Sequence, residues 1–367
     1  MAPVYKQLKG DNSFEPIIIS TGQHREMLVQ TMHAFQIAPD VSLDLMVPGL
    51  DLSSITSRIL TACGEQFRRI KPNAVLVQGD TISVIGAALA AFYEKIPIGH
   101  VEAGLRTYNL TAPWPEEMIR RLVDPISNWC FVPTKECANN LASEKIEKTK
   151  IYLTGNTVID SLNFIRQKIA SWSLEDLNFS NSINEHFNKK FFQQNGHTKL
   201  ILVTGHRRES FGAGFEKICN ALRTLADTYP DVGIIYPVHL NPAVQEPVKR
   251  ILGNHERIQL TPPISYPEFV WLMERSYIIL TDSGGVQEEA PSLGKPVLVM
   301  RDTTERSEGI VAGTSRLTGT NQQTILAECA KLLTNKEEYK KRSELVNPFG
   351  DGNAAKRIVT ILKENLG

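Results

Sequence analysis

The chain has 367 residues, 42% of them hydrophobic and 22% charged, an ordinary soluble composition too long for one core, so two domains are expected. Forty basic and forty acidic side chains cancel, which argues against nucleic acid or an anionic membrane as a partner. No apolar run nears the ~20 residues of a membrane helix and no signal-peptide core opens the chain. Five scattered cysteines without a Cys-x-x-Cys pair point to reduced thiols in a cytoplasmic protein, not to zinc or disulfides.

Strand-like runs alternate with helix-like spacing along the whole chain. In the first half they are Ile17-Ile18-Ile19, Ala74-Val75-Leu76-Val77, Ile96-Pro97-Ile98-Gly99-His100-Val101, Cys130-Phe131-Val132 and Ile151-Tyr152-Leu153. In the second they are Leu200-Ile201-Leu202-Val203, Val232-Gly233-Ile234-Ile235-Tyr236, Arg257-Ile258-Gln259-Leu260, Tyr277-Ile278-Ile279-Leu280 and Pro296-Val297-Leu298-Val299-Met300. Near-continuous apolar strands between helices mean α/β architecture with parallel sheets covered on both faces. The polar, Asn-rich stretch 169–198 reads as the linker between an N-terminal domain, 1–168, and a second domain, 199–349.

Open α/β sheets bind ligands beyond the carboxyl ends of their strands, and those ends are loaded here. Asp80 follows the second run, where it serves either as a helix N-cap or in catalysis. Glu102 leaves the third run beside a sheet edge, as a base or as the ion-pair partner of Arg106. Pro113-Trp114-Pro115 reads as a rigid turn opening a helix at Glu116 and Glu117, where the dipole alone would also favour acids. Asp80, Glu102 and Glu116 thus make three acids suited to proton abstraction and to charge on a sugar ring. In the second domain His206-Arg207-Arg208 suits a pyrophosphate, or is a solvated basic loop. Phe269 reads as core, and Arg306 as a nucleotide contact or a partner of Glu308.

The stretch from Thr281 to Ala290 says most. Gly284 and Gly285 at a strand-to-helix junction allow close backbone approach by phosphates, with Ser283 adding a hydroxyl. Glu289 lies where it reaches a sugar diol. Alone, the stretch would sooner read as a plain glycine turn between strand and helix. No Gly-x-Gly-x-x-Gly opens the chain and no Walker or HExxH motif occurs, so no NAD, P-loop or metal site is expected.

Together these motifs resemble the non-hydrolysing UDP-N-acetylglucosamine 2-epimerases of bacteria over nearly the whole chain. The carriers include Gly79-Asp80-Thr81, Gly99-His100-Val101-Glu102-Ala103-Gly104-Leu105-Arg106, Pro115-Glu116-Glu117, Thr204-Gly205-His206-Arg207-Arg208-Glu209 and Asp282-Ser283-Gly284-Gly285-Val286-Gln287-Glu288-Glu289. The resemblance implies two Rossmann-like domains of the glycosyltransferase B type with an inter-domain active-site cleft. It also implies a helix over 350–367 returning to the first domain, a homodimer, and no cofactor. It places Asp80, Glu102, Glu116 and His206 in catalysis, and Ile264, Phe269, Ser283, Gly284, Gly285, Glu289 and Arg306 on the UDP-sugar substrate. Gln23, Arg207 and His239 match an activator site described for some members.

The implied reaction eliminates UDP to a 2-acetamidoglucal and re-adds it, yielding UDP-N-acetylmannosamine for surface polysaccharides. A hydrolysing epimerase releasing N-acetylmannosamine, a glycosyltransferase of the same fold and an impaired sugar-nucleotide binder are the alternatives. Family members begin with a strand and a Gly-Thr-Arg-Pro-Glu-type loop before the segment matching Met1. Restoring roughly fifteen residues there is therefore expected to raise activity and melting temperature.

Overall fold

The computed structural model describes residues 1–22, 25–46, 49–111, 113–193 and 198–366. The chain divides into two units, Met1–Phe164 with Phe349–Gly367, and Ile165–Pro348.

In the first unit β1 (Ile19–Ser20) and β2 (Val41–Ser42) pair as a small parallel sheet. A second parallel sheet runs β3 (Val75–Gln78), β4 (Ile98–Val101), β5 (Trp129–Val132) and β6 (Ile151–Leu153), in that order. Every residue of β4 and β5 is buried, as expected where helices cover both faces of a parallel sheet. Val77 and Ile98 pack with side chains of the Leu52–Ile70, Ile82–Tyr93 and Glu116–Ile126 helices. Val101, Trp129 and Phe131 pack instead with the Ala2–Lys9 and Ala354–Leu366 helices. The last helix is pinned at its start, where Asp160 accepts hydrogen bonds from the Ala354 and Ala355 amides at 3.2 and 2.9 Å. Such a carboxylate satisfies amides that a helix start leaves unpaired.

The second unit holds β7 (Lys199–Thr204), β8 (Val232–Pro237), β9 (Ile258–Thr261), β10 (Ile278–Thr281), β11 (Val297–Val299) and β12 (Ser315–Leu317). They form one parallel sheet in the order β12-β11-β10-β7-β8-β9. The chain winds outward from β7 to β9, then returns to place β10 on the other side of β7. That reversal opens a crevice at the carboxyl ends of β7 and β10.

Within 169–198 the described residues form short helical turns at Leu174–Asp176, Ser180–Ser182, Glu185–Asn188 and Lys189–Gln193. Leu174, Leu177, Phe179, Phe187 and Phe191 are buried there, and the Trp271 indole donates to the Trp172 carbonyl at 3.1 Å. These apolar residues recur at no single period, so the stretch reads as loop although its aromatic side chains pack. Two short strands had no sequence signal, because β2 (Val41–Ser42) and β12 (Ser315–Leu317) lack the continuous apolar run that marks the others. Conversely Ile17-Ile18-Ile19 supplies only one residue to a two-residue strand. Among the described residues no helix is long and apolar enough to cross a membrane, and all five cysteines are free and buried.

Gly104 closes the turn that follows β4. Its φ is +85°, and a Cβ there would stand 2.5 Å from the Cys137 carbonyl oxygen. Gly104→Ala is therefore expected to destabilise the protein by about 2 kcal/mol or more, read as a lower urea midpoint. A midpoint equal to the parent's would contradict this geometry.

Candidate active site

The first unit gathers its acids at the carboxyl edge of β3 and β4. Asp80 is not the helix cap, because Thr81 is the N-cap of the Ile82–Tyr93 helix. Its carboxylate instead takes a 2.5 Å ion pair from Arg120. Glu102 follows β4 with φ +67°, a left-handed conformation that costs a non-glycine residue of order 1 kcal/mol and is concentrated at functional sites. Gly79 lies beside it, since a Cβ on Gly79 would be 3.9 Å from Glu102 Oε2. Arg106 pairs with Asp124 at 2.7 Å and with Glu144 at 2.8 Å.

Glu116 is the first residue of the Glu116–Ile126 helix, preceded by Pro115 at the N-cap. Its Oε2 is buried without a hydrogen-bond partner among the described residues. Glu117 is used differently. It accepts from the Thr107 and Tyr108 amides at 3.0 Å each and from Arg120 at 2.7 Å. Burial alone would raise its pKa, but those amides and Arg120 outweigh it and hold the carboxyl below its ordinary value.

The second unit builds its site where the winding reverses. Asp282, directly after β10, accepts from the His206 and Arg207 amides at 2.6 and 2.8 Å. It thereby ties the loop after β7 to the loop after β10. Its other oxygen, Oδ1, lies 3.4 Å from His206 Nδ1, an ion-pair distance without hydrogen-bond geometry. His206 is part-exposed and stacks on His239 with ring centroids 5.6 Å apart. Ser283 is the N-cap of the Gly284–Glu289 helix, yet its side chain makes no cap hydrogen bond. A Cβ on Gly284 would stand 3.1 Å from the Arg306 guanidinium carbon, so a larger residue there would require that side chain to shift. A Cβ on Gly285 would meet nothing within 4 Å, so that backbone is approachable.

Arg306 is held by Glu288 at 2.8 Å and Glu305 at 3.1 Å, while Arg207 lies 3.9 Å from Glu305. Glu289 is buried and accepts a 2.5 Å hydrogen bond from the Tyr266 hydroxyl. Burial pushes its pKa up to about 8, the Tyr266 hydrogen bond pulling the other way and the Glu288 charge adding to the rise. Phe269 is half-buried one turn beyond Tyr266 on the Tyr266–Arg275 helix, and Ile264 is half-buried in the loop before it.

The family model described as UDP-N-acetylglucosamine 2-epimerase matches residues 6–363. This chain belongs to the UDP-N-acetylglucosamine 2-epimerase family. It is 50% identical over 363 residues to the UDP-N-acetylglucosamine 2-epimerase of Salmonella typhimurium, covering 99% of this chain and 94% of that one. The Escherichia coli K12 enzyme of the same name is 49% identical over 365 residues, covering 100% and 95%. A crystal structure of the Neisseria meningitidis UDP-GlcNAc 2-epimerase bound to UDP-GlcNAc superposes with a TM-score of 0.89 at 44% identity. It covers 100% of this chain and 96% of that one.

Within this epimerase-family chain the residues named from sequence fall into two groups. Asp80, Glu102 and Glu116 belong to the first unit, and His206, Ser283, Gly284, Gly285, Glu289 and Arg306 to the second. Of the activator positions, Arg207 and His239 adjoin His206, whereas Gln23 lies outside the described residues. Sequence reasoning gave no role to Arg120, Asp124 or Tyr266, and it named Glu117 and Asp282 only within motifs, without the supporting contacts they make. Glu117, Arg120 and Asp124 sit three or four residues apart on one helix, a spacing that puts them on one face. That periodicity was the available signal.

Glu289 carries a pH signature. A carboxyl whose folded pKa is raised to about 8 binds its proton more tightly folded than unfolded. Its stabilising contribution is full below the unfolded value near 4.3 and is lost as pH rises toward 8. Glu289→Gln, which keeps an acceptor for Tyr266, is expected to match the parent at pH 5 and exceed it by on the order of 1–3 kcal/mol at pH 8.5. Urea titrations at the two pH values check this, and an equal gap at both would refute it.

Proposed function

We propose that this chain interconverts UDP-N-acetylglucosamine and UDP-N-acetylmannosamine, working as a homodimer to supply an activated sugar for bacterial surface polysaccharide. A carboxylate of the first unit takes the C2 proton, and the electrons of that C–H bond become the C1=C2 double bond. The C1–O bond breaks and its electron pair leaves with UDP, giving a 2-acetamidoglucal. A carboxyl group then returns a proton to the opposite face of C2, and UDP re-adds at C1.

The observation that carries this reading is the buried Glu116 Oε2, which has no hydrogen-bond partner among the described residues. Glu116 starts the helix whose Arg120 pairs with Asp80, and Asp80 and Glu102 follow adjacent strands. A buried carboxylate oxygen without a partner loses free energy on folding, about 1–3 kcal/mol or more, and a substrate proton gives it a purpose. The second unit is assigned the nucleotide. His206, Ser283, Gly284, Gly285 and Arg306 take the diphosphate, where donors face the charge that builds on the leaving group. Glu289 takes the ribose hydroxyls, and Phe269 with Ile264 the uracil. Family membership at 49–50% identity over the full chain supports the substrate assignment.

Incubation with UDP-N-acetylglucosamine in D₂O tests the chemistry. Deuterium at C2 of recovered UDP-sugar is expected, and its absence would refute proton abstraction; free N-acetylmannosamine as the product would mean hydrolysis instead. Asp80→Asn, Glu102→Gln and Glu116→Gln should each lower turnover by about 10²–10⁴-fold with melting temperatures near the parent's. Losses of about tenfold or less at all three would contradict the assignment. His206→Ala is expected to weaken UDP binding as well as turnover, measured by calorimetry, and unchanged affinity would remove it from the phosphate site.

A further inference from the structure

Behind the acids lies a cluster of ions that no step of the proposed chemistry uses. His100, in the middle of β4, has none of its surface exposed. Its Nδ1 is 2.6 Å from Asp124 Oδ1, and its Nε2 is 2.8 Å from the Gly79 carbonyl oxygen. The carbonyl can only accept, so Nε2 carries a proton. Asp124 Oδ2 receives the Gly104 amide at 3.3 Å and Arg106 at 2.7 Å. Two such donors keep Asp124 a carboxylate, so Nδ1 donates to it as well. The ring is therefore an imidazolium.

The titration behaviour runs the same way from both partners. Burial alone would lower the His100 pKa, but the charge and hydrogen bond of Asp124, the Gly79 carbonyl and Glu102 together raise it. Burial likewise opposes ionisation of Asp124, and His100 with Arg106 outweighs it, lowering its pKa. The charged groups facing the ring are Asp124 from the Glu116–Ile126 helix and Glu102 from the turn after β4. Arg106 reaches it through Asp124.

Two bonds of this cluster, to the Gly79 carbonyl and from the Gly104 amide, end near proposed acid–base groups. Gly79 immediately precedes Asp80 and approaches Glu102. Gly104 lies two residues beyond Glu102, whose φ of +67° needs support from its surroundings. Arg120, four residues before Asp124 on the helix that starts with Glu116, holds Asp80 at 2.5 Å. A buried ionic triad is a poor way to gain stability alone, because desolvating each charge costs several kcal/mol and apolar residues of similar volume often do as well.

We propose that His100, held as an imidazolium between Asp124 and the Gly79 carbonyl, is a positioning residue that sets Asp80 and Glu102 for the sugar chemistry. This rests on the epimerase reading of the first unit. His100 touches no substrate and acts through the two turns it joins.

The test uses the full chain carrying His100→Gln. Turnover should fall roughly 10²-fold, the scale of about 1 Å of misplacement, while KM and UDP affinity stay within about threefold. Combined with Glu102→Gln, the substitution should cost less than about threefold more, since groups acting as one unit are not additive. A merely structural role predicts multiplicative losses, with KM, UDP affinity and melting temperature moving together, and that result overturns the proposal. An independent readout needs no variant to fold: ¹⁵N NMR of the parent should show both His100 ring nitrogens protonated at pH 7, and a neutral ring would overturn it. Deuterium exchange at C2 in the parent that His100→Gln leaves intact defeats this role alone. No exchange in the parent defeats the epimerase reading and this role with it.

Discussion

The first unit is organised around one buried carboxylate. Asp124 is bonded by the His100 ring, the Arg106 guanidinium and the Gly104 amide, and none of its surface is exposed. Three pieces of chain that sequence separates, the turn after β3, the turn after β4 and the Glu116–Ile126 helix, are thereby locked in register. In a low-dielectric interior such bonds are strong when complete and costly when broken. The arrangement therefore tolerates few geometries, as the proposed acid–base chemistry would require.

The second unit solves a different problem with related means. Its reversal of strand order leaves two loops to be joined, and Asp282 joins them through main-chain amides rather than side-chain cations. The His206 ring stays part-exposed, and Arg306 is already oriented by two carboxylates. Fixing a guanidinium beforehand reduces the ordering cost of binding an anion. Glu289 is the exception, since burial favours its neutral form.

Sequence alone disclosed the architecture because parallel strands buried on both faces are written as uninterrupted runs, such as Ile278-Ile279-Leu280. The candidate site residues were placed by the same rule: Asp80, Glu102 and the Ser283-Gly284-Gly285 turn stand at strand ends, where the fold class places ligands. What stayed hidden was the second layer of ions. Arg120 and Asp124 sit among apolar residues of an amphipathic helix, where charged residues read as its solvent face. Only the tertiary partners, Asp80 for one and His100 for the other, show that they point inward. The irregular stretch 169–198, read as a linker, shows the complementary case. Its buried phenylalanines follow no helical or strand period, so their packing is set by the surface they meet.

The cysteines have a practical consequence. Burial pushes the thiol of Cys63 up to about 11 and that of Cys219 to about 12, and raises Cys130 and Cys329 as well. Little thiolate of these four is present at neutral pH in the folded chain, so electrophiles reach them mainly after local or global opening. Cys63, Cys130 and Cys137 belong to the first unit, and Cys219 and Cys329 to the second. Pulsed alkylation followed by peptide mapping would thus time the opening of each Rossmann-like unit separately, using reporters the chain already carries.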